Sequence, residues 1–530
     1  MCITAYTYDP FEYIIGDKLS HNNTEAQSAI RQAYSRLSTM YCMLSDYYST
    51  NNCEFQLKPL NLETLALKWM DPSYEIREAA QALLKNELKR IGPNGRAQLI
   101  KTWEPHLSSF LKDFDDLNQT NAQATQIAQS TISLASTPDQ AQAPTRTTSP
   151  HHELAHLPPT SNRMRRKQFV AVIILSLIGA EFGQDVSSNK NQAPYRTIPQ
   201  GFSLEDHSIL KRISNALSNL VSNKALQYDI TRRAAIDLMG RGFTIWEPFI
   251  QPTYVLLSLL ELSADAELYL PRNEIFHNIK EDRLSINLPL TSIADLCKIA
   301  RNSLSIIANS KPKTFILTIA KEIKRINSTS SQSAQVNNMS FSSALTRGKP
   351  EILKIIERLS DNQSQDVYEL LSDVIEIVLF CLDPNLIRSN GFEETFPALF
   401  KFPMLRYCKE TKRIICGCHN GRLVVYEYKA SKWNFQSYPA HNGQPIVAVA
   451  VSSDSKYVAS YSAHDNSLIF WQSSGGNIFN IGSNTIKQIK TCNAAPTELS
   501  VPYTKLAYLF WQNRTLNLIY HDNRKFSYQI

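Results

Sequence analysis

Short apolar segments alternate with polar turns through the last part of the chain, and this pattern predicts antiparallel strands. The clearest strands are predicted at 446–451, 457–462 and 468–472, with polar turns between them. Similar pairs of short apolar segments occur upstream at 413–427 and downstream at 506–520. The C-terminal region is therefore predicted to be all-β.

The central three strands carry the spacing of a WD-type propeller blade. His441 follows Ala440 where such a blade usually has Gly-His, and Trp471 stands 30 residues later in the third predicted strand. Asp465, in the turn before that strand, is predicted to bond to His441. We interpret His441, Asp465 and Trp471 as a structural blade motif.

Residues 398–530 are predicted to form two to three blades. Tyr426 lies 45 residues before Trp471, close to the usual repeat length. A closed propeller needs about four to eight blades, so this one is predicted to be incomplete. Residues 398–530 alone are expected to be poorly soluble or oligomeric, because the end blades would expose strand edges and apolar faces.

Helical periodicity dominates residues 25–390, and one unit within them occurs twice. Each copy has an arginine, an alanine pair and a Trp-x-Pro element, which we expect to begin a new helix. Small alanines allow close helix packing, and Asp71-Pro72 before the first copy is typical of HEAT-type pairs. The predicted repeat residues are Arg77, Ala79, Ala80, Trp103 and Pro105, and then Arg232, Ala234, Ala235, Trp246 and Pro248.

The sequence thus predicts a HEAT-like α-solenoid followed by an incomplete propeller. The helical array has a first part at 25–117 and a second at 163–390, and the tryptophans are expected to pack between helices rather than contact partners. Residues 118–162 and 327–345 are polar and are predicted to be a disordered linker and a mobile loop. Residues 1–24 are not placed. The apolar segment 169–180 is too short to span a bilayer and is predicted to be a buried helix.

Charge and cysteine content narrow the functional classes. The 530 residues carry a net charge of +7 and have no stripe of basic residues interleaved with aromatics, which argues against nucleic-acid binding. Nine scattered cysteines indicate reduced thiols in a cytosolic protein, and the N-terminus has no secretory signal. No catalytic set and no cofactor motif is found, so an enzyme is not expected.

Two sets of residues resemble metal ligands. His152, Glu153 and His156 match the H-E-x-x-H zinc-peptidase motif, which needs a helix so that both histidines share one face. Here Pro158-Pro159 follows at once, and Glu181 is the only candidate third ligand. The second set lies near the predicted blades and lacks a matched cysteine pair: Cys408, Cys416, Cys418 and His419. No metal site is predicted.

Several stretches, in order, resemble the rabconnectin-3 beta (WD repeat-containing protein 7) family over its C-terminal third. The resemblance runs from about residue 60 to 530. It is carried by REAAQALLKNELKRIGPNGR (77–96), IGAEFG (178–183), RRAAIDLMGRGFTIWEPF (232–249), LLELSADAE (259–267), FILTIAKEI (315–323), GKPEILKIIE (348–357), PIVAVAVSSDSKYVASYS (445–462) and IFWQ (469–472).

The resemblance implies a non-enzymatic scaffold. Family members have WD blades at both ends and a helical array between. They pair with the rabconnectin alpha subunit (a DmX-like protein) and promote assembly and activity of the vacuolar proton-pumping ATPase on endosomal and synaptic vesicles. The implied location is cytoplasmic and peripheral on these membranes. This chain lacks the family's long N-terminal WD region. A vesicle-coat or trafficking scaffold unrelated to the pump is the alternative, and a zinc peptidase is a further one.

Overall fold

Two compact units, Met1–Gln251 and Pro252–Ile530, make up the computed structural model of the chain. The predicted segment 1–24 and the H-E-x-x-H motif at 152–156 lie outside the described residues. So does linker 118–162, apart from Asn162, and so do residues 330–343 of the predicted loop; residues 327–329 and 344–345 are helical. The structure describes residues 32–43, 60–69, 71, 73–111, 162–182, 207–222, 230–264, 292–329, 344–429, 432–473, 486–499 and 501–530.

The first unit is helical throughout its described residues. Helix α3 ends where Gly92 takes a positive φ of 67°, a conformation that glycine adopts without steric cost, and Pro93 follows. The helices are α1 (32–43), α2 (Leu62–Lys68), α3 (Tyr74–Arg90), α4 (92–111), α5 (Asn162–Phe182), α6 (His207–Ser222), α7 (Ile230–Arg241) and α8 (Phe243–Trp246), followed by a 3-10 turn at Glu247–Phe249.

Helix α5 forms the centre of this unit. Every residue from 168 to 180 is buried, and the helix contacts α2, α3, α6, α7 and α8. The prediction of a buried core helix here is confirmed, because an apolar helix surrounded by others needs no polar face. No helix in the described parts of the chain is both long and apolar enough to cross a membrane.

The second unit begins with helices and ends with strands. Helix α15 has a sound start, since the carboxylate of Asp383 accepts a hydrogen bond from the backbone N–H of Asn385 at 2.9 Å. The helices are α9 (Pro252–Ala264), α10 (Ser292–Ser310), α11 (Pro312–Thr329), α12 (Lys349–Asn362), α13 (Ser364–Glu369), α14 (Leu371–Cys381), α15 (Pro384–Asn390), α16 (Phe392–Thr395) and α17 (Tyr503–Leu506).

Three antiparallel sheets follow one another along the chain, each with its strands in sequence order. Sheet A contains four strands, sheet B four and sheet C three. The prediction of a helical part followed by antiparallel sheets is confirmed. The strands are β1 (Leu405–Cys408), β2 (Arg413–Gly417), β3 (Arg422–Lys429), β4 (Lys432–Pro439), β5 (Ala448–Val451), β6 (Tyr457–Ser462), β7 (Ser467–Ser473), β8 (Ile486–Asn493), β9 (Ala507–Gln512), β10 (Thr515–Tyr520) and β11 (Lys525–Gln529).

The sheets pack face to face in the order A, B, C. One apolar cluster joins Ile415 and Val425 of sheet A to Val449 and Trp471 of sheet B. A second joins Phe470 and its neighbours in sheet B to the inner face of sheet C. The first strands of the sheets also lie side by side, β1 next to β5 and β5 next to β9. Sheet B therefore buries both of its faces, and sheets A and C each bury one face against it.

The two ends of this stack differ. On the outer face of sheet A, Tyr426 is buried and donates its hydroxyl to the carbonyl of Ser372 in α14 at 3.1 Å. On the outer face of sheet C, Tyr508 and Phe510 remain 46% and 40% exposed. Helices cover one end of the stack, and the described residues leave the other end open.

Candidate functional site

The predicted blade residues His441, Asp465 and Trp471 meet in sheet B, and two serines complete the network. His441 Nε2 lies 2.9 Å from the hydroxyl of Ser460, which also accepts a hydrogen bond from Trp471 Nε1 at 3.0 Å. His441 Nδ1 lies 2.7 Å from the hydroxyl of Ser467 and 3.3 Å from a carboxylate oxygen of Asp465. The network joins the segment before β5 to β6, β7 and the turn between them.

Burial decides what this network can do. His441 is fully buried, and this burial lowers the pKa of its imidazole, while the Asp465 carboxylate acts in the opposite direction. A neutral imidazole can accept from Ser460 through Nε2 and donate through Nδ1 toward Asp465 and Ser467. Because the imidazole and the Ser460 hydroxyl are buried, the network holds the segment before β5 against β6 and β7.

Sequence reasoning missed the two serines. Ser460 sits in the middle of β6, and Ser467 begins β7 with its hydroxyl donating to Asp465 at 2.8 Å. A signal for Ser460 was present, because a polar residue in a strand predicted to be buried needs a hydrogen-bond partner. The register of β6 decides which partner it meets, and the spacing of His441 and Trp471 does not supply that register.

Two helices, α13 and α14, are joined to the sheets by the hydroxyl groups of two tyrosines. Tyr368 of α13 is fully buried and donates to the carbonyl of Ile446 at 3.0 Å, just before β5. The contact between Tyr426 and Ser372 holds α14 against sheet A. Burial raises the pKa of both tyrosines, so both remain protonated donors. The sheets and these helices belong to one packed body.

The cysteine set considered as metal ligands is not one cluster. Cys408 donates to Ser455 Oγ at 2.9 Å, while Cys416, within β2, donates to the carbonyl of Gly417 at 3.8 Å, and Cys418 follows the end of that strand. Burial raises the pKa of the Cys416 thiol and keeps it protonated. No group of three or more potential ligands that could hold a metal ion occurs within the described ranges. These three cysteines are buried side chains in or next to the strands of sheet A.

In the helical units the predicted arginines join successive helices. Arg77, on α3, donates to the carbonyl of Asp71 at 2.8 Å, just after α2, and Arg232, on α7, donates to the carbonyl of Val221 at 2.9 Å, in the last turn of α6. Carbonyls at a helix C-terminus lack partners within the helix and attract cations, so these contacts satisfy them. The two copies share one physical role.

Two further arginines, not predicted, make the same contact. Arg96 of α4 donates to the carbonyl of Leu88 near the end of α3 at 2.8 Å. Arg301 of α10 donates to the carbonyl of Ser263 near the end of α9 at 2.9 Å. The shared signal is an arginine in a helix that follows a helix end, but neither is accompanied by the Ala-Ala pair.

The two tryptophan elements occupy different environments. Trp246 is fully buried, and its Nε1 donates to the carbonyl of Leu238 at 3.1 Å. A Cβ added at Gly179 or Gly242 would overlap its indole, so both glycines make room for the ring. Trp103 is only half-buried. The four alanines of the repeat are buried, whereas Pro105 and Pro248 are exposed.

The expectation that each Trp-x-Pro begins a helix is wrong for the first copy. Trp103 and Pro105 lie inside α4, which is continuous from 92 to 111. Trp246 ends the short helix α8, and Pro248 lies in the 3-10 turn before α9. The two copies share the same residues, but Trp103 lies within a long helix and Trp246 ends a short one. Their indole rings therefore have different surroundings.

Glu181, the candidate third ligand of the zinc motif, is held by cations. It forms an ion pair with Lys85, and Arg241 lies 3.7 Å from its second oxygen. Because these cations neutralise the carboxylate, its observed role is to connect α5 to α3 and α7. His152, Glu153 and His156 lie outside the described residues.

No family model matches the sequence, and no solved structure matches the fold.

Proposed function

We propose that this chain is a non-enzymatic scaffold subunit of a rabconnectin-type complex. In this proposal it pairs with the rabconnectin alpha subunit, a DmX-like protein, and binds subunits of the vacuolar proton-pumping ATPase. It promotes assembly and activity of the pump, and therefore vesicle acidification. It acts in the cytoplasm, peripherally on endosomal or synaptic vesicle membranes, and binds no nucleic acid and no cofactor.

The helical part supports this proposal as a HEAT-like α-solenoid. Three arginines bind a carbonyl near the end of the preceding helix, and Arg77 binds one just after α2, which is a repeated way of stacking helix after helix. Stacked helix pairs of this kind present extended surfaces, and proteins built from them act mainly by binding other proteins.

The sheets support it as part of a WD-type propeller. Their strands run in sequence order, their first strands lie side by side, and sheet B is fixed by the His441, Ser460 and Trp471 network. Two sheets of four strands and one of three are fewer than the roughly four to eight blades of a closed propeller. An incomplete propeller of this kind has a face on which a partner can be recruited.

The observation that carries the proposal is that residues joining one element to the next lie within the stretches of sequence that carry the resemblance. Arg77 and Arg96 lie in REAAQALLKNELKRIGPNGR, Trp246 lies in RRAAIDLMGRGFTIWEPF, and Ser460 lies in PIVAVAVSSDSKYVASYS. The stretches that resemble the rabconnectin-3 beta family thus contain the residues that join one element to the next. A resemblance located in the joints of the fold favours a shared architecture over chance similarity.

Affinity capture of the tagged full chain from a cell lysate tests the proposal. We expect the rabconnectin alpha subunit and pump subunits to be recovered together. A Trp246→Ala variant is the matched control, because it should damage the helical unit and lower recovery. Recovery of vesicle-coat proteins without any pump subunit would instead support the alternative trafficking scaffold.

Metal analysis tests the zinc-peptidase alternative. We expect the purified chain to contain no stoichiometric zinc, and a His152→Ala variant to have the same metal content. One zinc per chain that is lost in His152→Ala would overturn the non-enzymatic proposal, because it would place a ligand in the H-E-x-x-H motif.

A further inference from the structure

The last strands of the three sheets form one connected surface. Strands β4, β8 and β11 each lie at the edge of their sheet farthest from the contacts between first strands. The backbone N–H of Ile486 in β8 donates to the hydroxyl of Tyr438 in β4 at 3.2 Å, and Lys490 Nζ in β8 donates to the carbonyl of Gln529 in β11 at 2.8 Å. We call these three strands the outer-strand surface.

Positive charge is concentrated in this part of the molecule. Residues 398–530 contain 15 lysines and arginines against six aspartates and glutamates, an excess of nine, while the whole chain carries only +7. The outer-strand surface has no acidic residue at all. Its four lysines are exposed, and none forms an ion pair with a described carboxylate: Lys432, Lys487, Lys490 and Lys525.

An exposed apolar side chain lies among these lysines. Ile489 of β8 is 40% exposed and stands between Lys487 and Lys490. Lysine on an edge strand is a common protection against unwanted strand pairing, which alone could explain the charges. Such protection does not by itself account for an exposed isoleucine between two of the lysines.

We propose that the outer-strand surface binds anionic phospholipid membranes, with its lysines at the headgroups and Ile489 inserted at the headgroup boundary. A combination of basic and exposed apolar side chains is what interfacial binding needs. The charge is spread over strands of three sheets rather than gathered in one groove, which suits an extended anionic surface better than a single acidic peptide. This inference deepens the proposed peripheral association with vesicles and rests on it.

Vesicle co-sedimentation with the full chain tests the inference. We expect binding to vesicles of phosphatidylcholine with phosphatidylserine, and little binding to phosphatidylcholine alone. Each lysine contributes about a fivefold factor to binding of such a membrane, so changing all four to glutamine should weaken it by at least about a hundredfold. Raising the salt to about 1 M should also release the protein, since screening then acts within about 3 Å.

A charge-matched variant controls for net charge. Lys101, Lys211, Lys321 and Lys354 are exposed lysines on α4, α6, α11 and α12, and changing them to glutamine lowers the net charge by the same amount. This variant should bind the anionic vesicles to within a few fold of the unchanged chain. An Ile489→Ser variant should bind several-fold more weakly at unchanged salt dependence, because it removes apolar insertion only.

Equal loss of binding in the two quadruple variants would overturn the inference, because net charge and not this surface would then be responsible. Equal binding to neutral and anionic vesicles, or no vesicle binding at all, would overturn it as well. The assay contains no pump subunit. A failure here therefore leaves the capture of pump subunits untouched, and a failed capture leaves the vesicle result untouched.

Discussion

Buried side-chain N–H groups donate to backbone carbonyls in the helical part and to a side-chain hydroxyl in sheet B. In the helical part, Arg232 and Trp246 donate to the backbone carbonyls of Val221 and Leu238, both in the last turn of a helix. In sheet B, Trp471 donates to the side chain of Ser460, on which His441 also depends. Each region places its donors where free acceptors exist.

The difference follows from backbone hydrogen bonding. The last carbonyls of a helix have no partner within the helix, so a neighbouring helix can satisfy them with an arginine or an indole. In the middle of a sheet the ladder uses the carbonyls, so a joint between strands must bring its own acceptor. It also follows that the arginine contacts between helices carry a permanent charge, while the contact in sheet B depends on the His441 imidazole, which burial keeps neutral.

The largest expected effect tests the helical side of this comparison. Trp246→Ala should lower the unfolding free energy of the helical unit by about 3–5 kcal/mol, because the ring is fully buried and a cavity would remain. Trp246→Phe should cost less, since it keeps most of the ring and loses the donor. Trp103→Ala is the matched control and should cost about 1 kcal/mol. Equal losses at both tryptophans in chemical denaturation would contradict the different environments described for them.

The arginine joints come next in size. Arg232→Met should cost about 2–3 kcal/mol, because it leaves the carbonyl of Val221 without its charged donor in a buried site. Arg77→Met should cost about the same, since Arg77 makes the corresponding contact with Asp71. Denaturation curves of both variants measure this. Two arginines that differ by several kcal/mol would mean that the copies do not share a role.

Ser460 tests the sheet side. Ser460→Ala should cost about 2 kcal/mol, because it removes the acceptor of Trp471 Nε1 and the partner of His441 Nε2 together. Ser462 provides a control in the same strand, because it is equally buried and its hydroxyl has no hydrogen-bond partner among the described residues. Ser462→Ala should therefore leave the melting temperature nearly unchanged. Similar losses in both variants would show that packing, not the network, stabilises β6.

The smallest effect is a pH dependence confined to the sheets. Burial lowers the pKa of His441 in the folded chain below its ordinary value of 6.5. Below this pH the unfolded chain binds a proton that the folded chain does not, so stability falls as the pH drops from about 6.5 toward the folded pKa. Arg232 is charged in both states and adds no such slope. Denaturation at neutral and mildly acidic pH should show this loss, and His441→Gln should remove that part of it.

The sequence predicted motifs whose geometry is local and missed contacts that depend on distant partners. His441, Asp465 and Trp471 could be recognised because their spacing follows from a repeated strand length. Ser460 could not be assigned a role without the register of β6 against β7. The arginines of the repeat could be identified from the sequence. Their acceptors could not, because these depend on where the preceding helix ends.

The packing of helices on sheet A was beyond sequence reasoning. Tyr368 and its acceptor Ile446 are 78 residues apart, and Tyr426 and Ser372 are 54 apart. No periodicity links such positions. The two Trp-x-Pro elements show a different limit of sequence reasoning. Their sequences are the same, yet Trp103 is half-buried and Trp246 is fully buried.

The helix cover on sheet A gives the stack of sheets a direction. A head-to-tail polymer needs two different and complementary open ends on each molecule. Here α14 covers Tyr426 at the sheet A end, whereas among the described residues the sheet C end carries the exposed side chains of Tyr508 and Phe510. Addition at that end can bring in one partner or pair two chains symmetrically, and in either case it stops there. The helix cover at the sheet A end therefore favours addition of a partner at the sheet C end over head-to-tail stacking of these sheets.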